Sequence, residues 1–114
     1  MLRVAVAEDN PKDRERLLSF LKQYGEEKHV QIEVTEYTDG SELLEQYRPC
    51  YDVIFLDVEM PQMDGMKAAE KIRETDEEVI LIFITNMAKY AIRGYEGQAL
   101  DYVLKPVKYQ AFSV

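Results

Sequence analysis

Apolar residues along this chain come in short blocks, separated by stretches with a different rhythm. Residues 2–7, LRVAVA, form one such block closed by EDNP, which predicts a buried strand. The rhythm changes at Asn10-Pro11. Asn10 is the expected N-cap of a helix, Pro11 its first position, and Asp13 an acid in its first turn. Leu17, Leu21 and Tyr24, with Leu18 beside them, give that helix an inward stripe, and Gly25 is expected near its end. Residues 31–38, QIEVTEYT, alternate instead, so Ile32, Val34 and either Tyr37 or Thr38 predict a half-buried second strand. Asp39-Gly40-Ser41 breaks it, and SELLEQYR reads as a short helix stopped by Pro49. A third strand is expected over 52–57 and a third helix from Gly65 to Thr75. Residues 79–85, VILIFIT, are apolar on both faces, which predicts a central strand in a sheet covered on both sides. AKYAIRGYE (88–96) reads as a helix weakened by Gly94, and LDYVL (100–104) as a fifth strand ending at Lys105-Pro106. The last residues, VKYQAFSV, look like the first turns of another helix.

Strand and helix in regular alternation predict an α/β fold, a parallel sheet with right-handed crossovers and helices on both faces. At 114 residues the chain is one domain, with no low-complexity segment or repeat to divide it. The longest apolar run, VILIFI at 79–84, is far too short to span a membrane, so no membrane partner is expected. The start, MLRVAVAEDN, lacks the pattern of a signal peptide. A single cysteine, Cys50, permits no intrachain disulfide and fits a reducing compartment, so a cytoplasmic protein is expected. Twenty-two acidic residues against fourteen basic give a net charge of −8, which argues against direct nucleic-acid binding by this chain. Most of those acids read as a solvated surface; the few at strand ends need another account.

In an open parallel sheet, ligands sit beyond the carboxyl ends of the strands. There the sequence places Glu8 and Asp9 after the first strand, Asp57 after the third, Thr85 after the fourth and Lys105 after the fifth. With strand order 2-1-3-4-5 these side chains converge. Each has an ordinary explanation alone: Glu8 and Asp9 suit the positive end of a helix, Asp57 a loop accepting backbone hydrogen bonds. Strand threonines such as Thr85 and snorkelling lysines such as Lys105 are common. The convergence is what these explanations leave out. Carboxylates about 5 Å apart repel by roughly 3 kcal/mol at an effective dielectric near 20, so the cluster needs a cation. Mg²⁺ (or Mn²⁺) favours oxygen ligands and keeps waters that a phosphoryl oxygen can replace. With Lys105 as a second positive charge and Thr85 offering a hydroxyl, Asp57 becomes a nucleophile toward phosphorus, and the product is an acyl phosphate.

In chain order, VAEDN (6–10), FLDVEMPQMDG (55–65), IFITN (82–86) and DYVLKP (101–106) together resemble the receiver domain of bacterial two-component response regulators. The resemblance spans nearly the whole chain, and the motifs are specific as a set. It implies a flavodoxin-like, doubly wound sheet in which Asp57 is the phosphoacceptor for the phosphohistidine of a sensor histidine kinase. It further implies Mg²⁺ bound by Asp9 and Asp57 side chains and the Glu59 backbone carbonyl, with Glu8 acting mostly through water. Lys105 would contact a phosphoryl oxygen, Lys105-Pro106 would be a cis peptide, and Thr85 and Tyr102 would move together as the switch. The protein would be a switch that catalyses its own phosphorylation and dephosphorylation, rather than an enzyme with turnover. The stretch ITNMAKYAIRGYEGQALDYVLKPV is similar to receivers joined to a LytTR-type DNA-binding domain, which implies a transcription regulator. Since the chain stops where a fifth helix would begin, it is expected to be truncated, without its DNA-binding output domain. Apolar surface near Val103 would then favour a homodimer or an exchanged-segment oligomer.

Asn86 after Thr85 and Glu59 beside the site depart from the common receiver pattern and bear on the lifetime of the phosphoryl group. Three other readings compete. A haloacid-dehalogenase-like phosphatase would need its Gly-Thr and a cap domain. A flavodoxin-like FMN carrier would need a loop of phosphate donors where EDNPKD stands. A receiver-like module switched without phosphorylation would have no use for Glu8, Asp9, Asp57, Thr85 and Lys105 together. His29 lies in a polar turn without metal-binding partners, and Cys50 is expected to be partly buried packing. Met60, Met63 and Met66 read as filler, and no GxxxxGK or GxGxxG motif occurs.

Overall fold

The structure, a computed structural model, describes residues 1–45, 47–57, 65–85 and 101–104, and only the backbone of 65, 66, 85 and 101–104. The elements follow in the order β1 (Leu2–Ala7), α1 (Pro11–Lys28), β2 (Ile32–Tyr37), α2 (Gly40–Glu45), β3 (Val53–Asp57), α3 (Gly65–Thr75), β4 (Ile80–Thr85) and β5 (Asp101–Leu104). All strand pairs are parallel, and the sheet order is β2-β1-β3-β4-β5, as the acid convergence requires.

Alternation along the strands divides the core into two layers. Ala5, Ala7, Ile54, Leu56, Leu81 and Phe83 pack with Leu43 of α2 and with Ala68, Ala69 and Ile72 of α3. Ala5 and Ala7 of the sheet and Ala68 and Ala69 of α3 are all fully buried in this layer. On the other face Val4, Val6, Phe55 and Ile84 meet Leu17 and Leu21 of α1. Leu17 and Leu21 are therefore the buried part of the expected stripe, while Leu18 and Tyr24 are half-buried. Tyr37, not Thr38, takes the inward position at the end of β2.

Asn10 caps α1 as expected, its Oδ1 accepting from the backbone N–H groups of Lys12 and Asp13 at 2.9 and 3.2 Å. Gly25 lies near the end of the helix as expected; α1 runs to Lys28, and His29 closes it in the left-handed region at φ 56°. The need for glycine at 25 comes from close approach: a Cβ there would lie 2.9 Å from the Val30 carbonyl oxygen. That carbonyl belongs to a turn whose Val30 N–H returns to the Gly25 carbonyl at 3.0 Å.

The second helix is shorter than SELLEQYR suggested. Asp39 Oδ1 accepts from Ser41 N–H at 2.9 Å, and Glu42 reaches back to the Thr38 N–H at 3.2 Å, a reciprocal arrangement close to a capping box. Beyond it, the expectation for Cys50 is corrected. The cysteine is exposed, because Tyr47 and Tyr51 take the inward positions on either side, with ring centroids 6.1 Å apart. The expected helix at 88–96, the Lys105-Pro106 peptide, the methionine loop around 60–63 and the residues after Leu104 lie outside the described residues, as does the side chain of Val103.

Candidate metal centre

Strand order places β1 beside β3 at the centre of the sheet. The chain leaves β1 through α1 on one face and leaves β3 toward α3 on the other. This is the topological switch point of a doubly wound sheet, where diverging connections leave a crevice beyond the carboxyl ends. Both strands deliver carboxylates there.

Glu8 and Asp9 follow β1, and Asp57 ends β3. One carboxylate oxygen from each lies within 4.8 Å of the others. Glu8 and Asp57 are almost fully buried, at 1% and 3% exposure, while Asp9 faces solvent. The strand pushes Asp57 inward because its neighbours Ile54, Phe55 and Leu56 are core residues. Burying one carboxylate is costly, and burying two side by side adds repulsion. Such a donor set fits a hard divalent cation with oxygen ligands: it offers carboxylate oxygens only, and Asp9 leaves one side open to water. Among the described residues this is the cluster with metal-ligand spacing.

Backbone anchors hold Glu8 on several sides. Its N–H donates to the Tyr37 carbonyl at 3.0 Å, extending the β1–β2 pairing by one residue. Its Oε2 accepts from the Asn10 N–H at 3.0 Å, and its carbonyl accepts from Arg14 Nη1 at 2.7 Å. The side chain of Glu8 therefore serves the loop as well as the crevice. Sequence reasoning missed Arg14, because nothing in its spacing distinguishes it from other surface arginines of α1.

Thr85 ends β4, and its backbone pairs in register with Leu104 of β5; Tyr102 pairs with Phe83. The backbone thus puts Thr85 at the carboxyl edge of the sheet, one strand from Asp57, which is itself in register with Ile84. The side chains of Thr85 and Tyr102, and all of Glu59, Lys105 and Pro106, lie outside the described residues.

Between the end of α3 and the start of β4 is a polar group the sequence did not suggest. Buried Asp76 accepts from the Tyr47 hydroxyl at 2.7 Å and from the N–H groups of Glu78 and Val79 at 3.1 and 3.2 Å. The Tyr37 and Tyr51 hydroxyls lie 2.8 Å apart. Burial, then the bond to Asp76, pushes the Tyr47 hydroxyl well above the ordinary tyrosine range; burial and Tyr51 do the same for Tyr37. These hydroxyls stay protonated, and the cluster reads as a structural tie between α2, α3 and the sheet.

Known proteins give the crevice its context. The sensory transduction protein LytT of Oceanobacillus iheyensis is 36% identical over 99% of this chain, which spans 46% of that relative. The transcriptional regulatory protein BtsR of Escherichia coli is 32% identical over 94% of this chain and 43% of the relative. The chain thus spans less than half the length of these relatives. Among solved structures, the response regulator TrrA of Thermotoga maritima, crystallised in complex with Mg(2+)-BeF, superposes with a TM-score of 0.82 at 28% identity, covering 98% of this chain and 93% of that one. The response regulatory domain of mrkE from Klebsiella pneumoniae gives a TM-score of 0.80 at 27% identity over 98% of this chain and 89% of that one. The family model described as the response regulator receiver domain matches residues 4–113, and the chain belongs to that family.

Proposed function

We propose that Asp57 is the phosphoacceptor of a two-component switch, with a divalent cation, Mg²⁺ or Mn²⁺, held at Asp9, Asp57 and the Glu59 carbonyl and bordered by Glu8. The observation that carries this reading is the convergence of three carboxylates at the switch point of the sheet, two of them buried. A bound cation supplies charge neutralisation for the carboxylates and for incoming phosphoryl oxygens.

The residues divide the remaining work. Asp57 Oδ attacks phosphorus as the N–P bond of a kinase phosphohistidine breaks; the imidazole nitrogen keeps the electron pair, and the product is an aspartyl phosphate. Lys105 binds a phosphoryl oxygen, and the Thr85 hydroxyl donates to another once the group is in place. Thr85 and Tyr102 sit on adjacent strands, so a bond made by Thr85 only in the phosphorylated state biases the β4–β5 face. The protein promotes both its own phosphorylation and its own dephosphorylation in this scheme, the latter by attack of water on the aspartyl phosphate to release inorganic phosphate and restore the Asp57 carboxylate. An FMN carrier would need to place its phosphate in the same crevice against these carboxylates, which repel it.

No helix among the described residues is long and apolar enough to cross a membrane. Membership of the receiver family supports a cytoplasmic location and a sensor histidine kinase as partner. The names of the relatives, a sensory transduction protein and a transcriptional regulatory protein, support an output at transcription through a LytTR-type DNA-binding domain in the full-length protein. A homodimer or exchanged-segment pair through the β4–β5 side is part of the same proposal.

Intact mass after incubation with acetyl phosphate tests the chemistry. A gain of one phosphoryl group that needs Mg²⁺ and is absent in Asp57→Asn is the expected result. A folded, Mg²⁺-binding protein that never gains the group would favour the phosphorylation-independent module.

A further inference from the structure

We infer that Arg14 is a positioning residue for the cation site, holding the Glu8–Asp9 turn in its ligating shape; this rests on reading the acid cluster as a cation site. Arg14 lies one turn into α1, its own N–H bonded to the Asn10 carbonyl at 2.9 Å. Side chains on a helix lean toward its N-terminus, so the guanidinium reaches back over the loop that feeds the helix. There Nη1 donates to the Glu8 carbonyl at 2.7 Å, while Nε lies 3.5 Å from Glu36 Oε1 on β2. One rigid fork therefore ties together the helix, the edge strand and the peptide between two acids of the cluster.

The short bond to a carbonyl is charge-assisted, and the Arg14 side chain is only 19% exposed. The Glu36 pair is half in solvent and contributes little alone; its part is to fix the plane of the guanidinium. The peptide plane between residues 8 and 9 decides where the Asp9 Cα, and hence its carboxylate, stands. Other anchors act on the Glu8 N–H and on its side chain, and Arg14 acts on its carbonyl. Without a cation the carboxylates push one another apart, so a loop free to turn would relax away from ligand spacing.

The sign of the effect separates this role from a plain charge effect. A cation beside a cation site weakens binding, so removing a positive charge should tighten Mg²⁺ if Arg14 acts through its charge alone. If Arg14 acts by positioning, removal weakens Mg²⁺ binding despite the more favourable field.

The experiment is calorimetric titration of the whole chain with MgCl₂, comparing wild type with Arg14→Met, Arg14→Lys and Arg16→Met. Arg16 is an exposed arginine two residues along the same helix and serves as the charge control. The expected result is a roughly tenfold weaker Kd for Arg14→Met, in the range seen when outer-shell partners of metal ligands are lost. Arg14→Lys, keeping the charge and one donor but not the fork, should fall in between, and Arg16→Met should bind as wild type or slightly tighter. Unchanged or tighter binding in Arg14→Met overturns the inference. Far-UV circular dichroism checks folding; if Arg14→Met is unfolded, Arg14→Lys decides alone, weaker binding supporting the role and wild-type binding refuting it. A wild-type chain that binds no Mg²⁺ would refute the cation site itself, and the positioning role with it.

Discussion

Asp57→Asn should make the metal-free protein more stable while removing most of the stabilisation it draws from Mg²⁺. The carboxylate oxygens of Glu8, Asp9 and Asp57 lie within 4.8 Å of one another. At an effective dielectric near 20, a pair of unit charges at that separation repels by about 3 kcal/mol. The exposed position of Asp9 screens its share, and the proposed phosphoryl-binding Lys105 offsets at most one of three charges. A net gain of about 1–2 kcal/mol is therefore expected on neutralising Asp57, which for a domain of this size is a rise of about 5–10 °C in Tm. Mg²⁺ at a hundred times its Kd should add about 2.7 kcal/mol to the wild type and far less to the variant. Thermal unfolding followed by circular dichroism, with EDTA and with saturating MgCl₂, measures all four states. A variant less stable than wild type in EDTA, or equal gains from Mg²⁺ in both, would show that the cluster is not held together against its own charge.

Two changes at the end of α1 should act in opposite directions in urea unfolding. Gly25→Ala should destabilise by about 1 kcal/mol, although alanine is the better helix former, because its Cβ meets the Val30 carbonyl at 2.9 Å. His29→Gly should stabilise by about 0.5–1 kcal/mol, since residue 29 sits at φ 56°. Tyr47→Phe should cost about 1–2 kcal/mol at neutral pH by leaving Asp76 one donor short. Because folding raises the Tyr47 pKa, that group's contribution is complete below about pH 10, the unfolded value, and is lost as pH rises through the folded one. The alkaline decline in stability should accordingly be shallower in Tyr47→Phe; an identical slope would show that this hydroxyl plays no part in it.

Most of the fold was legible because its signals are local and redundant. LRVAVA and VILIFIT are too short and too apolar to be surface helices, and Asn10-Pro11 announces a helix start through side-chain chemistry that needs no tertiary context. The convergence of Glu8, Asp9 and Asp57 was legible for a different reason: parallel topology fixes which strand ends are neighbours once the order is assumed. What escaped depends on three dimensions. The position of Gly25 near the helix end was legible, but not that the Val30 carbonyl folds back against it. Cys50 looks like packing, but it is the nearby Tyr47 and Tyr51, both half-buried, that pack against the core while the cysteine is exposed. Asp76 reads as one more acid in an acidic turn, yet it is buried by bonds to Tyr47 and two backbone N–H groups. Arg14 works through a backbone carbonyl, a contact that leaves no trace in residue spacing.

The most direct test of the central claim is to locate the phosphoryl group. The chain is phosphorylated with acetyl phosphate and Mg²⁺, reduced with borohydride, which converts an aspartyl phosphate to homoserine, and mapped by peptide mass spectrometry. Homoserine at position 57, absent when Mg²⁺ is withheld, is the predicted result. Reduction at Glu8, Asp9 or any other acid, with Asp57 intact, would contradict it.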